Sequence, residues 1–173
     1  AGIALSSNVL AVQDDRPEDS MSILVLGGTG FLGPHEIDQA EDRNWKITIF
    51  NRGRTREKMF LEDFDKVERL KGDRDPDKGD GLSSIKEAVE SGQTWDAVID
   101  NSGYFPRHAR ASAEVLAKAT GQYIFISTIS VYADSATKGQ DEDSRVGTLD
   151  DPSSEEFSGE SYGPLKALCE QEV

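Results

Sequence analysis

Short apolar runs alternate along the chain with longer stretches in which apolar residues recur every third or fourth position. Ser22–Leu26 is the first run and reads as a strand; residues 46–50 (Lys-Ile-Thr-Ile-Phe) and 97–100 repeat the pattern. Residues 123–127 close the series. A weaker third strand and its exit are read in residues 68–73, reached through a short helix or irregular segment over 60–70. Helices are expected over 34–42, 82–91, 107–120 and 161–173. The third of these aligns Ala109, Ala113, Leu116 and Ala117, and Pro34 is tolerated in a first helical turn. Residues 134–159 are acidic, rich in Ser and Gly, and read as a long surface loop. Strands with no polar alternation are buried on both faces, which is the habit of parallel sheets. Strand and helix in alternation then give an α/β class with a doubly wound parallel sheet, the Rossmann fold.

Composition narrows this picture in three ways. A chain of 173 residues suits one domain with a sizeable core. It holds no run of 18 apolar residues, so no membrane-spanning helix is expected. A formal charge of −14 weighs against nucleic acid and anionic lipid, both of which select clustered Lys and Arg. The lone Cys169 excludes an internal disulfide. Residues 1–20 differ in character from the remainder of the chain and are set apart as a leader, with the Rossmann domain over 21–173. Val9-Leu10-Ala11 has the small-residue character of an export cleavage site, so the leader is either a signal remnant or a disordered extension. The location expected is cytoplasmic, with export the alternative.

The first strand runs straight into Gly27-Gly28-Thr29-Gly30-Phe31-Leu32-Gly33, with a helix behind it. That order matches a dinucleotide-binding turn. Gly27 or Gly28 makes the tight turn, Gly30 admits a pyrophosphate, and Gly33 lets the helix lie close to the strand. Phe31 and Leu32 complete the loop around the phosphates. The glycines fit two spacings, Gly28-x-Gly30-x-x-Gly33 and Gly27-x-x-Gly30-x-x-Gly33. The second strand ends in Asn51-Arg52-Gly53-Arg54, where a cofactor with a free ribose 2′-hydroxyl usually meets an acid. Arg52 and Arg54 suit a 2′-phosphate by charge and by forked hydrogen bonds, which favours NADP over NAD. Asp73, after the third strand, could accept from an adenine amino group.

Tyr162 and Lys166 stand four residues apart, so on a helix they share a face. Pro164 requires Tyr162 to lie in the first turn. A nearby ammonium favours the phenolate, and a Tyr so tuned can exchange a proton with an alcohol or carbonyl during hydride transfer. Upstream, Ser127, Thr128 and Ser130 follow a buried strand, at the sheet edge where ligands bind. Tyr132 reads as packing or as a pocket wall. No metal site is expected.

Together, Gly-Gly-Thr-Gly-Phe-Leu-Gly, Ser-Thr-Ile-Ser-Val-Tyr and Tyr-Gly-Pro-Leu-Lys resemble the short-chain dehydrogenase/reductase superfamily, and within it the extended branch of nucleotide-sugar epimerases and dehydratases. The resemblance implies that Tyr162 is the general acid/base and that Lys166 binds nicotinamide ribose and lowers the Tyr pKa. It implies that Thr128 supplies the substrate hydroxyl contact, with Ser127 and Ser130 as alternatives. Gly27, Gly30, Gly33 and Asp73 take the family's cofactor positions, and Asp100-Asn101-Ser102-Gly103 matches more loosely a segment beside the cofactor. The implied protein is an NAD(P)-dependent oxidoreductase, epimerase or dehydratase acting on a sugar or nucleotide-sugar-like alcohol. Dimerisation through the helices at 107–120 and 161–173 is implied as well. Family members continue well beyond the position of Lys166 with further strands and a substrate domain, so the chain is expected to be incomplete. A further likeness, to an atypical subgroup related to chloroplast stem-loop-binding proteins, implies the alternative of RNA binding or processing. A redox sensor that binds NADP without turnover would not need Tyr162, Lys166 and Thr128 in register.

Overall fold

Five parallel strands in the order β3-β2-β1-β4-β5 form one sheet in the computed structural model, which describes residues 20–54 and 67–173. The strands are β1 (Ser22–Leu26), β2 (Lys46–Asn51), β3 (Glu68–Lys71), β4 (Trp95–Asp100) and β5 (Thr120–Phe125). The helices are α1 (Gly33–Glu41), α2 (Ser83–Glu90), α3 (Pro106–Leu116) and α4 (Tyr162–Glu170). A 3-10 turn at Ile129–Val131 follows β5. Most of the segment read as a short helix over 60–70 lies outside the described residues, as does the leader apart from Ser20. No helix among the described residues is long and apolar enough to cross a membrane.

Strand pleating explains why β1 reads as an unbroken apolar run. Leu24 and Leu26 point to one side, into a cluster with Phe50, Ile85, Val98 and Leu116. Ile23 and Val25 point to the other, among Ile37, Ile47 and Ile49. Both faces are therefore covered by helices. Truncating a fully buried residue such as Leu24 to Ala would cost about 2–5 kcal/mol, since the transfer and cavity terms add.

Several boundaries differ from the sequence expectation, and three of them have a cause in the packing. The long helix ends at Leu116, not at 120, because the Ala119 N–H bonds back to Leu116 and the Ala119 carbonyl accepts from Trp95 N–H at 2.8 Å. That contact draws the chain into the sheet early, so β5 begins at Thr120 with Gly121 and Gln122 in it. The strand lies at the sheet edge, half exposed, which leaves it without an apolar signature at its start. β4 likewise begins at Trp95, whose indole is buried and donates to Thr48 Oγ1 at 3.1 Å.

After β1 the chain winds outward through β2 and β3, then returns to place β4 on β1's other side. Connections on the two sides of β1 diverge there, and a cleft opens at the carboxyl ends of the strands.

Candidate functional site

The cleft has a volume of about 1050 Å³ and is walled by the β1–α1 loop, the exits of β2 to β5 and the start of α4. Its floor begins with Gly27, at φ +87°, a region side chains rarely adopt. The Gly27 N–H donates to Phe50 O at 2.9 Å, so the tight turn falls here, and of the two spacings it is the one starting at Gly27 that the turn uses. At Gly33 a Cβ would sit 2.3 Å from the Gly28 carbonyl carbon, so only glycine lets α1 start against the turn. Around Gly30 the space is open, its nearest neighbour for a Cβ being Gly27 O at 3.7 Å. No side chain caps α1 at Leu32, which leaves a helix N-terminus facing the cleft beside exposed Phe31.

One end of the cleft takes its shape from β2 and β3. Asn51 Oδ1 accepts from Gly53 N–H at 2.8 Å, so the residue found where an acid is usual here closes its own turn. Arg52 and Arg54 stand exposed on the cleft rim. Asp73 lines the wall, and its Oδ1 accepts from Asp75 N–H at 3.1 Å.

Beneath the cleft lies a charge pair that no sequence motif announced. Arg74 donates to both oxygens of the fully buried Asp100, at 2.5 and 2.8 Å, and to Ser102 Oγ at 3.1 Å. Tyr123 Oη donates to Asp100 at 2.7 Å and Ser102 N–H at 3.0 Å. Burial works to raise the Asp100 pKa, but the Arg74 charge and these hydrogen bonds outweigh it and hold the carboxyl below its usual range. Burial, and then the Asp100 charge, push the Tyr123 phenol upward.

At the other end Tyr162 and Lys166 line the same cleft, as the four-residue spacing requires. Lys166 Nζ donates to Gly103 O at 3.0 Å and to Ile126 O at 2.6 Å, and it lies 3.8 Å from the Phe125 ring centroid. Burial lowers its pKa. The helix can come this near because residue 163 is glycine: a Cβ there would lie 1.9 Å from Ser130 O. Thr128 is not among the cleft-lining residues. Its Oγ1 accepts from Ser130 N–H at 3.2 Å and starts the 3-10 turn. Ser127 does line the cleft. Ser130 is exposed on the turn itself, and Tyr132 forms a bridge with Val146.

Among the described residues, the buried side-chain polar atoms without a hydrogen-bond partner are Asn51 Nδ2, Arg74 Nε, Ser84 Oγ, Asn101 Oδ1, His108 Nε2 and Ser127 Oγ. All but Ser84 belong to cleft residues. Buried polar groups are normally satisfied, so five exceptions among the residues of one cleft set it apart from the rest of the described structure. Asn101 also donates to Glu36 Oε2 at 2.6 Å, and burial raises the Glu36 pKa. His108, whose pKa burial lowers, has Nε2 3.7 Å from Asp75 Oδ2. Beside it Arg107 joins three acids across the cleft mouth: Asp75 at 2.8 Å, Asp77 at 3.0 Å and, bidentately, Glu155 at 2.8 and 3.0 Å. Sequence reading missed Arg74, Arg107 and His108, which stand outside every motif and gain their roles only through partners distant in the chain.

Residues 23–158 match the family model described as NAD dependent epimerase/dehydratase family. No curated protein matches the chain. Among solved structures, the Bordetella bronchiseptica enzyme WbmG in complex with NAD and UDP superposes with a TM-score of 0.67 at 20% identity, over 88% of this chain and 48% of that one. The Campylobacter jejuni UDP-Glc/GlcNAc 4-epimerase gives 0.67 at 19%, over 87% and 47%. The dTDP-glucose 4,6-dehydratase of Bacillus anthracis, in complex with NAD, gives 0.61 at 18%, over 87% and 48%. The chain thus spans about half the length of these structures, and at such identities the likeness is one of fold.

Proposed function

The chain belongs to the NAD dependent epimerase/dehydratase family, and from that premise we propose that the complete protein is an NAD(P)-dependent oxidoreductase, epimerase or dehydratase acting on a sugar or nucleotide-sugar-like alcohol. The observation that carries this reading is a single cleft lined both by the glycine turn at Gly27, Gly30 and Leu32 and by Tyr162 and Lys166. A dinucleotide fits their chemistry. Gly27, Gly30 and Gly33 with the α1 N-terminus would hold its pyrophosphate, Asp73 and Asn51 its adenosine, and Asn101, Ser127 and Lys166 its nicotinamide riboside.

The nicotinamide ring, when bound, accepts and returns hydride. Tyr162 takes the alcohol proton as the C–H bond breaks and gives it back to the carbonyl oxygen. Gly103 O and Ile126 O hold the Lys166 ammonium in the cleft that Tyr162 lines. The hydroxyl contact to the substrate oxygen falls to Thr128 or to Ser127, whose Oγ is the unsatisfied one. Arg52 and Arg54 on the rim, with no acid at position 51, support NADP over NAD.

Tyr162→Phe in the complete protein is the test. Turnover should fall by roughly 10²–10⁴ with cofactor affinity retained. Unchanged turnover would refute the assignment. Ser127→Ala and Thr128→Val, compared side by side, identify the hydroxyl by the larger loss in kcat.

A further inference from the structure

A strap over residues 147–161 leads into α4 and delivers the chain to Tyr162. It is anchored where it begins, the Gly147 N–H donating to Val131 O at 2.7 Å. It is knotted where it ends, Ser161 Oγ donating to Glu156 O at 2.6 Å and the Tyr162 N–H to Ser158 O at 3.0 Å. Between these points, among the described residues, the hydrogen bonds that tie residues 148–157 to the rest of the fold are those Glu155 accepts from Arg107, at 2.8 and 3.0 Å.

Arg107 is built to hold the strap. It stands in the first turn of α3, and its Nη1 is engaged on the other side by Asp75 at 2.8 Å and Asp77 at 3.0 Å. Nε and Nη2 are left as a fork on the two Glu155 oxygens, a geometry that fixes a carboxylate's direction as well as its distance. A lone exposed ion pair holds little, whereas a bidentate pair within a network of charges is the kind that does.

Two residues beyond Glu155, Phe157 meets the Tyr162 ring at 5.9 Å between centroids and 68° between planes. It also lies 5.9 Å from Tyr104 and 6.2 Å from Phe105, the residue that precedes α3. Phe157 is 55% exposed, so burial alone does not keep its ring there. The guanidinium therefore reaches the phenol through a short run of contacts, from Arg107 to Glu155 and from Phe157 to Tyr162.

We propose that Arg107 is a positioning residue for Tyr162: by clamping Glu155 it seats Phe157 against the phenol ring and fixes where that ring stands in the cleft. This rests on the enzymatic reading above and adds to it the group that holds the general acid/base in place.

The test uses the complete protein with its tyrosines labelled by carbon-13 at Cζ, the Tyr162 signal being assigned through Tyr162→Phe. Glu155→Ala removes the clamp and leaves Arg107 on Asp75 and Asp77, so its melting temperature should stay near that of the parent. Its Tyr162 signal should shift and broaden, as should that of Phe157→Ala, while the Tyr123 signal stays put. Turnover is followed with NADP at 340 nm on whichever of UDP-glucose, glucose and inositol the parent converts fastest. In both variants kcat should fall roughly tenfold to a hundredfold, with NADP affinity little changed. Combining the two should add little, because they act on one run of contacts. Arg107→Lys keeps the charge and loses the fork, so it should melt above Arg107→Gln without recovering the parent Tyr162 signal or kcat. A Tyr162 signal unmoved by Glu155→Ala and Phe157→Ala, or full kcat in both while Tyr162→Phe is inactive, overturns the inference and leaves the enzymatic reading standing. Full turnover in Tyr162→Phe refutes the enzymatic reading and this inference with it.

Discussion

Replacing Arg74 by methionine would strip the buried Asp100 of its counter-charge. The carboxylate has no solvent exposure, so it cannot recover the loss from water. It would keep Tyr123 Oη at 2.7 Å and Ser102 N–H at 3.0 Å, two neutral donors in place of a bidentate guanidinium. Breaking a buried pair from one side costs about 3–5 kcal/mol. Against a typical domain stability of about 5–15 kcal/mol, that is a large fraction. With a urea dependence of about 2 kcal/mol per M, the unfolding midpoint should move down by roughly 2 M. The double variant Arg74→Met/Asp100→Leu should recover most of the loss, because an apolar pair of similar volume carries no desolvation penalty. The pair also has a pH signature. Asp100 has a folded-state pKa below its unfolded value, so its contribution is present above the ordinary carboxylate pKa of about 4. It is lost as pH falls below that value toward the folded pKa. The gap between the parent and the double variant should therefore be flat from neutral pH downward and change only in acid. A single variant within about 1 kcal/mol of the parent, or a double variant no better than the single, would show that the pair is not the buried unit described here.

Gly33→Ala would force a Cβ to within 2.3 Å of the Gly28 backbone, so α1 must shift; a stability loss of about 1–3 kcal/mol and loss of thermal protection by NADP are expected from melting curves. Gly163→Ala, whose Cβ would lie 1.9 Å from Ser130 O, should lower kcat much more than cofactor affinity, because it moves Tyr162 away from the Thr128 turn; steady-state kinetics and a cofactor titration together show this. Arg52→Ala with Arg54→Ala should weaken NADP binding by about tenfold and leave NAD binding unchanged, as expected for losing a charge-assisted hydrogen bond, read from the fluorescence of Trp45 and Trp95.

Where the sequence spoke clearly, the signal was local. Ile23 to Leu26 read as a strand buried on both faces, and the glycine cluster marked the turn while leaving two spacings open until the Gly27 backbone chose one. The start of β5 was hidden because an edge strand needs no apolar alternation, and Gly121 and Gln122 carry none. The end of α3 was hidden because its stop is the Trp95–Ala119 contact, made across the sheet and not within the helix. The Tyr162–Lys166 face followed from helical period alone. Arg74 and Asp100 were not legible because their pairing spans 26 positions and neither residue type signals burial. The same holds for Arg107 and Glu155, 48 positions apart. Thr128 and Ser127 are adjacent hydroxyls, and only the backbone at the exit of β5 decides which one turns into the cleft.

The central position of β1 has a consequence for synthesis on the ribosome. Its first partner, β2, is complete at Asn51, but its second, β4, is not complete until Asp100. At about 5–20 residues per second, the nascent chain waits roughly 2–10 s with one edge of its most apolar strand unpaired. During that interval Ile23, Leu24, Val25 and Leu26 offer an open template for pairing with any neighbouring chain. Slowing translation between residues 52 and 95, or depleting a holdase chaperone, should therefore raise aggregation of this protein before it lowers the stability of molecules already folded.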